Sequence, residues 1–215
     1  KSKADFYSTG ISVKNSRFNF CLHSVNSVIA DIDLNVPGRY NIENAVAASA
    51  VASLIGINEK QIKKALGTFT GVKRRFEYHL RNENAILIDD YAHHPAELSA
   101  FISAVLELYP DKKITGVFQP HLYTRTRDFA NDFAQSLDQL DDVYLLEIYP
   151  ARELPGAGVT SRMILDKMKI KNKKICGKEK LMNEIASRKP EVLLTMGAGD
   201  IDTLIPELIR VICQH

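Results

Sequence analysis

Over its first third the chain alternates apolar and polar residues with a period of two. The runs ISV (11–13), RFNFCLH (17–23) and SVIADIDLN (27–35) each turn hydrophobic side chains to one face of an extended segment, and the NS and SVN stretches between them carry turn residues. The period then lengthens. After VPGRY, the alanine-rich NIENAVAASAVASLIG (41–56) has apolar residues on most faces and predicts a helix buried nearly all round, followed by a shorter helix over 59–67 that ends at Gly67. TGVKRR (70–75) is polar and predicts a connector, so the chain is expected to divide into one unit over 1–72 and a second over 73–215.

From residue 76 strands and helices alternate. The apolar runs AILI (85–88), ITGVF (114–118), VYLLEI (143–148) and VLLTM (192–196) each lead into a segment with a period near 3.6. Leu98, Phe101, Ile102, Val105 and Leu106 share one helical face, and Ile201, Leu204, Ile205, Leu208, Ile209 and Ile212 share another. This pattern predicts an α/β fold, a mostly parallel sheet covered by helices on both faces, preceded by a strand-rich and helical unit. Ligands of open parallel sheets bind outside the carboxyl ends of the strands. Function is therefore sought at those ends.

Composition narrows the field mainly by exclusion. Among 215 residues, 28 Lys and Arg against 26 Asp and Glu give a net charge of +2, which lacks the basic excess of a nucleic-acid binder. Cys21, Cys176 and Cys213 are far apart and form no CxxC pair, so neither a disulfide framework nor a structural zinc site is encoded, and a reducing cytoplasm is expected. No apolar run approaches bilayer length and no leader pattern opens the chain, so no membrane partner is expected. The chain opens on Lys1 rather than methionine, which is the expectation for a piece of a longer protein.

Four predicted strands end in polar clusters that a core does not need: DDYAHHP (89–95), QPHLYTRTR (119–127), YPARELPGAGVTS (149–161) and GAGD (197–200). His93 and His94 are adjacent, point different ways on any regular element and make a poor metal pair. Pro95 suits the first turn of a helix. His94 or Asp90 then either caps the loop, or Asp90 accepts ribose hydroxyls while a histidine at the helix entrance meets an anion. Arg125, grouped with His121, Tyr123 and Thr124, offers a bidentate clamp for a carboxylate or phosphate, whereas Arg127 reads as surface charge. GAGD has two glycines of a nucleotide fingerprint, but Asp202 stands where the third belongs, so a tight turn with Asp200 as N-cap is the simpler reading. No GxxxxGK[ST] occurs, so a standard triphosphate cradle is not encoded here.

Taken together, GRYNIENAVAA, GVKRRFEYH, ILIDDYAHHPAE, FQPHLYTRTRDF, YPARELPGAGVTS and GAGDI, in this order, resemble the Mur ligase family over about residues 36–200. The resemblance implies the end of a central ATPase domain over 1–72 and a Rossmann-like, amino-acid-binding C-terminal domain over 73–215, with the phosphate loop, the UDP-sugar domain and the main Mg²⁺ ligands upstream. It implies ATP-dependent addition of L-alanine to UDP-N-acetylmuramate for peptidoglycan synthesis, and with it roles in cell shape and division. By motif, Asn41 and Asn44 match asparagines near adenine, Arg75 an arginine reaching the terminal phosphate, Asp90 the ribose-binding aspartate and Tyr91 a neighbour of the base. His93 and Arg125 match positions lining the incoming alanine, with His94 and His121 beside them. Tyr40 stands where the family usually has histidine, and Leu122 where it usually has arginine.

The chemistry so implied is activation of the sugar's carboxylate to an acyl phosphate, then attack by the alanine amine through a tetrahedral intermediate, with no covalent enzyme nucleophile. The active site would assemble by domain closure about 70–75, so this chain alone is expected to be inactive. Three other readings stay open: a ligase that attaches a tripeptide to the same sugar, a non-catalytic nucleotide-binding module, and a dinucleotide oxidoreductase.

Overall fold

The computed structural model describes residues 4–213; residues 1–3 and 214–215, at the outer ends of the two expected units, lie outside the described residues. The chain divides into two compact units, one comprising the chain up to Gly71 with Ala104–Pro110, the other Val72–Ser103 with the chain from Asp111 onward.

In the first unit β1 (Tyr7–Lys14), β2 (Arg17–His23) and β3 (Val28–Leu34) form an antiparallel meander in that order. The period-two pattern puts Phe18, Phe20 and Leu22 on one face, fully or almost fully buried, with Phe18 opposite Leu34 and Phe20 opposite Ile32. The helices α1 (Arg39–Leu54) and α2 (Glu59–Thr68) follow, and α2 opens on a capping box in which Asn58 and Gln61 each accept the other's backbone N–H. The all-round burial expected for the alanine-rich helix is not found. Ile42, Ala45 and Ser49 form its buried stripe, while Val51 and Leu54 are 61% and 82% exposed. Alanine stabilises a helix through its backbone and its lack of side-chain entropy cost, so an alanine run needs no partner on every face.

The second unit is a six-stranded sheet in the order β4-β5-β9-β6-β7-β8. Its strands are β4 (Glu77–Arg81), β5 (Ile86–Asp90), β6 (Ile114–Phe118), β7 (Asp142–Leu145), β8 (Asn172–Ile175) and β9 (Val192–Met196). Only β4 runs antiparallel to its neighbour; the pairs β5–β9, β9–β6, β6–β7 and β7–β8 are parallel. β5, β6, β7 and β9 are buried at every position because helices cover both faces, which is why they read as unbroken apolar runs. The helices are α3 (Pro95–Leu108), α4 (Tyr123–Leu137), α5 (Arg162–Leu165), α6 (Lys178–Arg188) and α7 (Ile205–Cys213). Leu87, Val117, Tyr144 and Leu193 pack with Leu181, Ile185, Leu204 and Leu208 on one face. On the other, Phe118 meets Phe133 at 5.3 Å between ring centroids, and Phe76 meets Phe101 edge-on at 5.2 Å.

Three differences from the sequence reading are local. The third apolar run leaves the ladder after Leu145, so Leu146 and Ile148 are buried outside any strand, with Glu147 between them exposed. The apolar stripe from Ile201 to Ile212 is carried by a 3₁₀ turn (Ile201–Leu204) and α7 rather than by one helix. The edge strands β4 and β8 carry too little apolar pattern to stand out, since an edge strand is covered on fewer sides. Among the described residues no helix is long and apolar enough to cross a membrane.

Candidate functional site at the strand ends

Parallel register brings the four polar clusters to one edge of the second unit. Asp90 pairs with Met196, Met196 with Phe118, and Phe118 with Leu145, so the segments after β5, β9, β6 and β7 leave the sheet side by side.

The two carboxylates of the DDY motif have different surroundings. Asp89 is fully buried; its Oδ2 accepts a bond from Arg74 Nε at 3.0 Å and its Oδ1 one from the Thr195 hydroxyl at 2.6 Å. Asp90 accepts the backbone N–H groups of Phe76 and Ala92, each at 2.8 Å, on its two oxygens. Burial nevertheless raises the Asp90 pKa to about 6, outweighing the two backbone bonds that favour its charged form. Tyr91 follows at 39% exposure, its ring 5.0 Å from the Arg74 guanidinium and its N–H donated to the Arg74 carbonyl at 2.7 Å.

Beyond Tyr91 lies a cluster of imidazoles. His93 Nδ1 is 2.9 Å from the Tyr91 carbonyl oxygen, which can only accept, so Nδ1 carries the proton and the neutral ring keeps its lone pair on Nε2. The His93 ring sits edge-on to His121 at 5.9 Å, and His121 stacks on Tyr149 at 5.8 Å. Arg125 Nη1 faces His121 Nδ1 at 3.4 Å. Burial first, then the charge of Arg125, lowers the His121 pKa, so this ring is neutral near pH 7. The start of α4 is held from the YPARELPGAGVTS loop, where Glu153 accepts the Thr124 N–H at 3.0 Å and the Thr124 hydroxyl. Leu122, the residue before that helix, adopts a left-handed φ of 71° and offers no cap.

Not every expected residue joins this group. His94 lies apart, with its ring against Phe129 at 4.9 Å and its N–H donated to Glu97 Oε2. Arg127 pairs with its neighbour Asp128 at the surface. Arg75 is exposed, and among the described residues its guanidinium has no ion pair. Asn41 and Asn44 belong to the first unit, where they line a mainly apolar hollow of about 320 Å³ with Leu34, Val36, Leu66 and Phe69. The Asn41 amide donates to the Pro37 carbonyl there.

The GAGD turn is glycine for reasons of space. A Cβ on Gly197, whose φ is 136°, would lie 2.5 Å from the Gln119 carbonyl oxygen, and one on Gly199 would lie 2.3 Å from Gln119 Oε1. The Asp200 side chain does not cap the following turn; it accepts from Gln119 Nε2 at 2.8 Å and pairs with Lys178 at 2.6 Å.

Arg74 is the residue that sequence reasoning missed. Nothing in KRRF separates it from Arg75, yet it is the one turned inward. Glu77, His79 and Asp89 also place ligand atoms within 4.8 Å of one another, but Arg74 occupies both carboxylates, through its N–H to Glu77 and its guanidinium to Asp89. An imidazole and two engaged carboxylates do not fit Mg²⁺, which prefers open oxygen ligands and retained waters.

The family model for the Mur ligase glutamate ligase domain matches residues 74–199, more than half of the chain. The chain belongs to the Mur ligase family. It is 50% identical over 212 residues to UDP-N-acetylmuramate–L-alanine ligase of Parabacteroides distasonis, a match covering 99% of this chain and 46% of that protein. Among solved structures, the UDP-N-acetylmuramate-alanine ligase MurC of Thermotoga maritima superposes with a TM-score of 0.79 at 26% identity, covering 98% of this chain and 46% of that one. MurF ligase of the same organism, solved in complex with ADP, shares the fold at a TM-score of 0.70 and 17% identity, over 100% of this chain and 47% of that one. The chain thus spans about half the length of the relatives it matches. The segment Arg74–Gly199 that carries the family match contains Asp90, Tyr91, His93, His121 and Arg125.

Proposed function

We propose that this chain is the amino-acid-binding part of an ATP-dependent ligase that joins L-alanine to UDP-N-acetylmuramate in peptidoglycan precursor synthesis. The observation that carries the reading is the convergence of His93, His121 and Arg125 beside Asp90 and Tyr91 at one sheet edge. Relatives named for this reaction support it, and the ADP held by the more distant MurF ligase supports a nucleotide role for the fold.

In this reading ATP transfers its terminal phosphoryl group to the sugar's carboxylate, releasing ADP and leaving an acyl phosphate. The alanine carboxylate is held by Arg125, whose planar guanidinium suits a bidentate pair. The alanine ammonium gives one proton to Nε2 of His93, whose tautomer is set by the Tyr91 carbonyl. The freed amine attacks the acyl carbon, a tetrahedral intermediate forms, and the departing phosphate takes the amine's second proton, leaving as hydrogen phosphate as the amide bond closes. Neutral His121 supports Arg125 without competing for the carboxylate as a cation. Asp90 and Tyr91 take the ribose and base of ATP, Arg75 its terminal phosphate, and Asn41 and Asn44 the adenine. His94, turned toward Phe129, acts only in shaping the entrance of α3.

The experiment is substrate-dependent ADP release by the full-length protein carrying this chain. L-alanine with UDP-N-acetylmuramate and ATP is expected to release ADP and phosphate in equal amounts. Turnover with a tripeptide in place of alanine, or none with alanine, overturns the assignment.

A further inference from the structure

Lys73, Arg74 and Arg75 are consecutive cations, and the fold treats Arg74 differently from its neighbours. Its side chain is 12% exposed. Nε donates to Asp89 Oδ2 at 3.0 Å, Nη2 to the Gly197 carbonyl at 2.6 Å and Nη1 to the Gly199 carbonyl at 3.2 Å, with Asp202 Oδ1 3.5 Å from Nη1. One guanidinium thus spans the end of β5 and the turn after β9. Its carbon lies 5.0 Å from the centre of the Tyr91 ring, and the Arg74 carbonyl accepts the Tyr91 N–H. The backbone at Arg74 is left-handed, with φ at 60°, a conformation that a non-glycine residue keeps only where its surroundings impose it. Glu77 supplies part of that by accepting the Arg74 N–H at 2.7 Å.

We propose that Arg74 is a positioning residue for the nucleotide: anchored on the Gly197 and Gly199 carbonyls, it fixes the Tyr91 ring in the orientation that ATP meets, without touching amino acid or phosphate. The proposal rests on the nucleotide role given above to Asp90 and Tyr91. A purely structural ion pair needs only a positive charge beside Asp89. The observed contacts need more than that: a planar fork that reaches two carbonyls while its carbon sits over an aromatic ring, which one lysine ammonium cannot offer.

Steady-state kinetics of the full-length protein test this. Arg74→Lys is expected to raise the KM for ATP by about tenfold, because one ammonium cannot hold both turn carbonyls and also sit over the Tyr91 ring, with the KM for alanine within about twofold of wild type. Tyr91→Leu is expected to raise the KM for ATP similarly, and the double variant no further than Tyr91→Leu alone, because Arg74 acts through Tyr91. The Arg74→Met, Asp89→Asn pair, which removes both buried charges, guards against simple unfolding and is expected to give the same pattern. Wild-type kinetics for Arg74→Lys, equal effects on both substrates, additive effects in the double variant, or failure of both Arg74 variants to fold would each overturn the proposal alone. An unchanged KM for ATP in Tyr91→Leu would instead overturn the nucleotide reading on which it rests.

Discussion

Asp89 and Asp90 are adjacent in the chain and turn to opposite faces of the same strand, the first into an ion pair with Arg74 and the second onto the backbone of Phe76 and Ala92. Strand geometry imposes this division, since successive side chains alternate. The motif therefore supplies one structural carboxylate and one whose proton affinity is raised.

That raised affinity has a sign. Between the ordinary aspartate value of 3.8 and about 6, the folded chain holds a proton on Asp90 that the unfolded chain has lost. Stability from this group is present at low pH and is lost as pH rises through that window, by roughly 3 kcal/mol on the order of the shift. Replacing Asp90 with asparagine removes the dependence. Urea denaturation at pH 4.5 and 7.5 should show the stability advantage of wild type over Asp90→Asn shrinking by roughly 2 kcal/mol at the higher pH. A difference that stays constant would contradict the assignment.

Gly197→Ala should be destabilising by about 2–3 kcal/mol, because it combines a φ of 136° with a Cβ 2.5 Å from a backbone oxygen that cannot retreat cheaply. Thermal unfolding checks this. Gly158, also at positive φ but with open space around it, should cost less on the same substitution.

Arg125→Ala in the full-length protein should raise the KM for alanine at least tenfold while leaving that for ATP within about twofold, as expected when a charge-assisted carboxylate pair is lost. Equal changes in both constants would remove Arg125 from the amino-acid site.

Leu122 lies three residues before Arg125, where the family resemblance calls for a second arginine. Leu122→Arg should lower the KM for alanine by about threefold, within the range of one exposed ion pair. An increase would mean that the apolar residue is itself part of the pocket.

The purified chain of 215 residues should show no alanine-dependent ADP release. A coupled assay sensitive to slow turnover would detect any exception.

Much of the second unit was legible in advance because β5, β6, β7 and β9 are buried on both faces and so appear as continuous hydrophobic runs. The polar edge strand β8, NKKI, gave no such signal. α1 misled for a related reason: its alanines record helix propensity, and propensity is silent about which side is covered. At the site, DDYAHHP and HLYTRT were recognisable as residues that no core needs. The residues alone did not choose between His93 and His94, which diverge only once α3 sets their directions; the family resemblance named His93 beside Arg125.

Six ordered motifs gave the family by resemblance, and local pattern was enough to give the strand and helix alternation, the parallel sheet and the position of the polar clusters at strand ends. Those properties depend on side-chain periodicity and composition within short windows. The inward turn of Arg74 and the outward turn of Arg75, the separate uses of Asp89 and Asp90, and the meeting of His93 with His121 depend on which distant strand ends lie side by side. Chain topology alone brings Gly197 within reach of Arg74, and no window of neighbouring residues contains that contact.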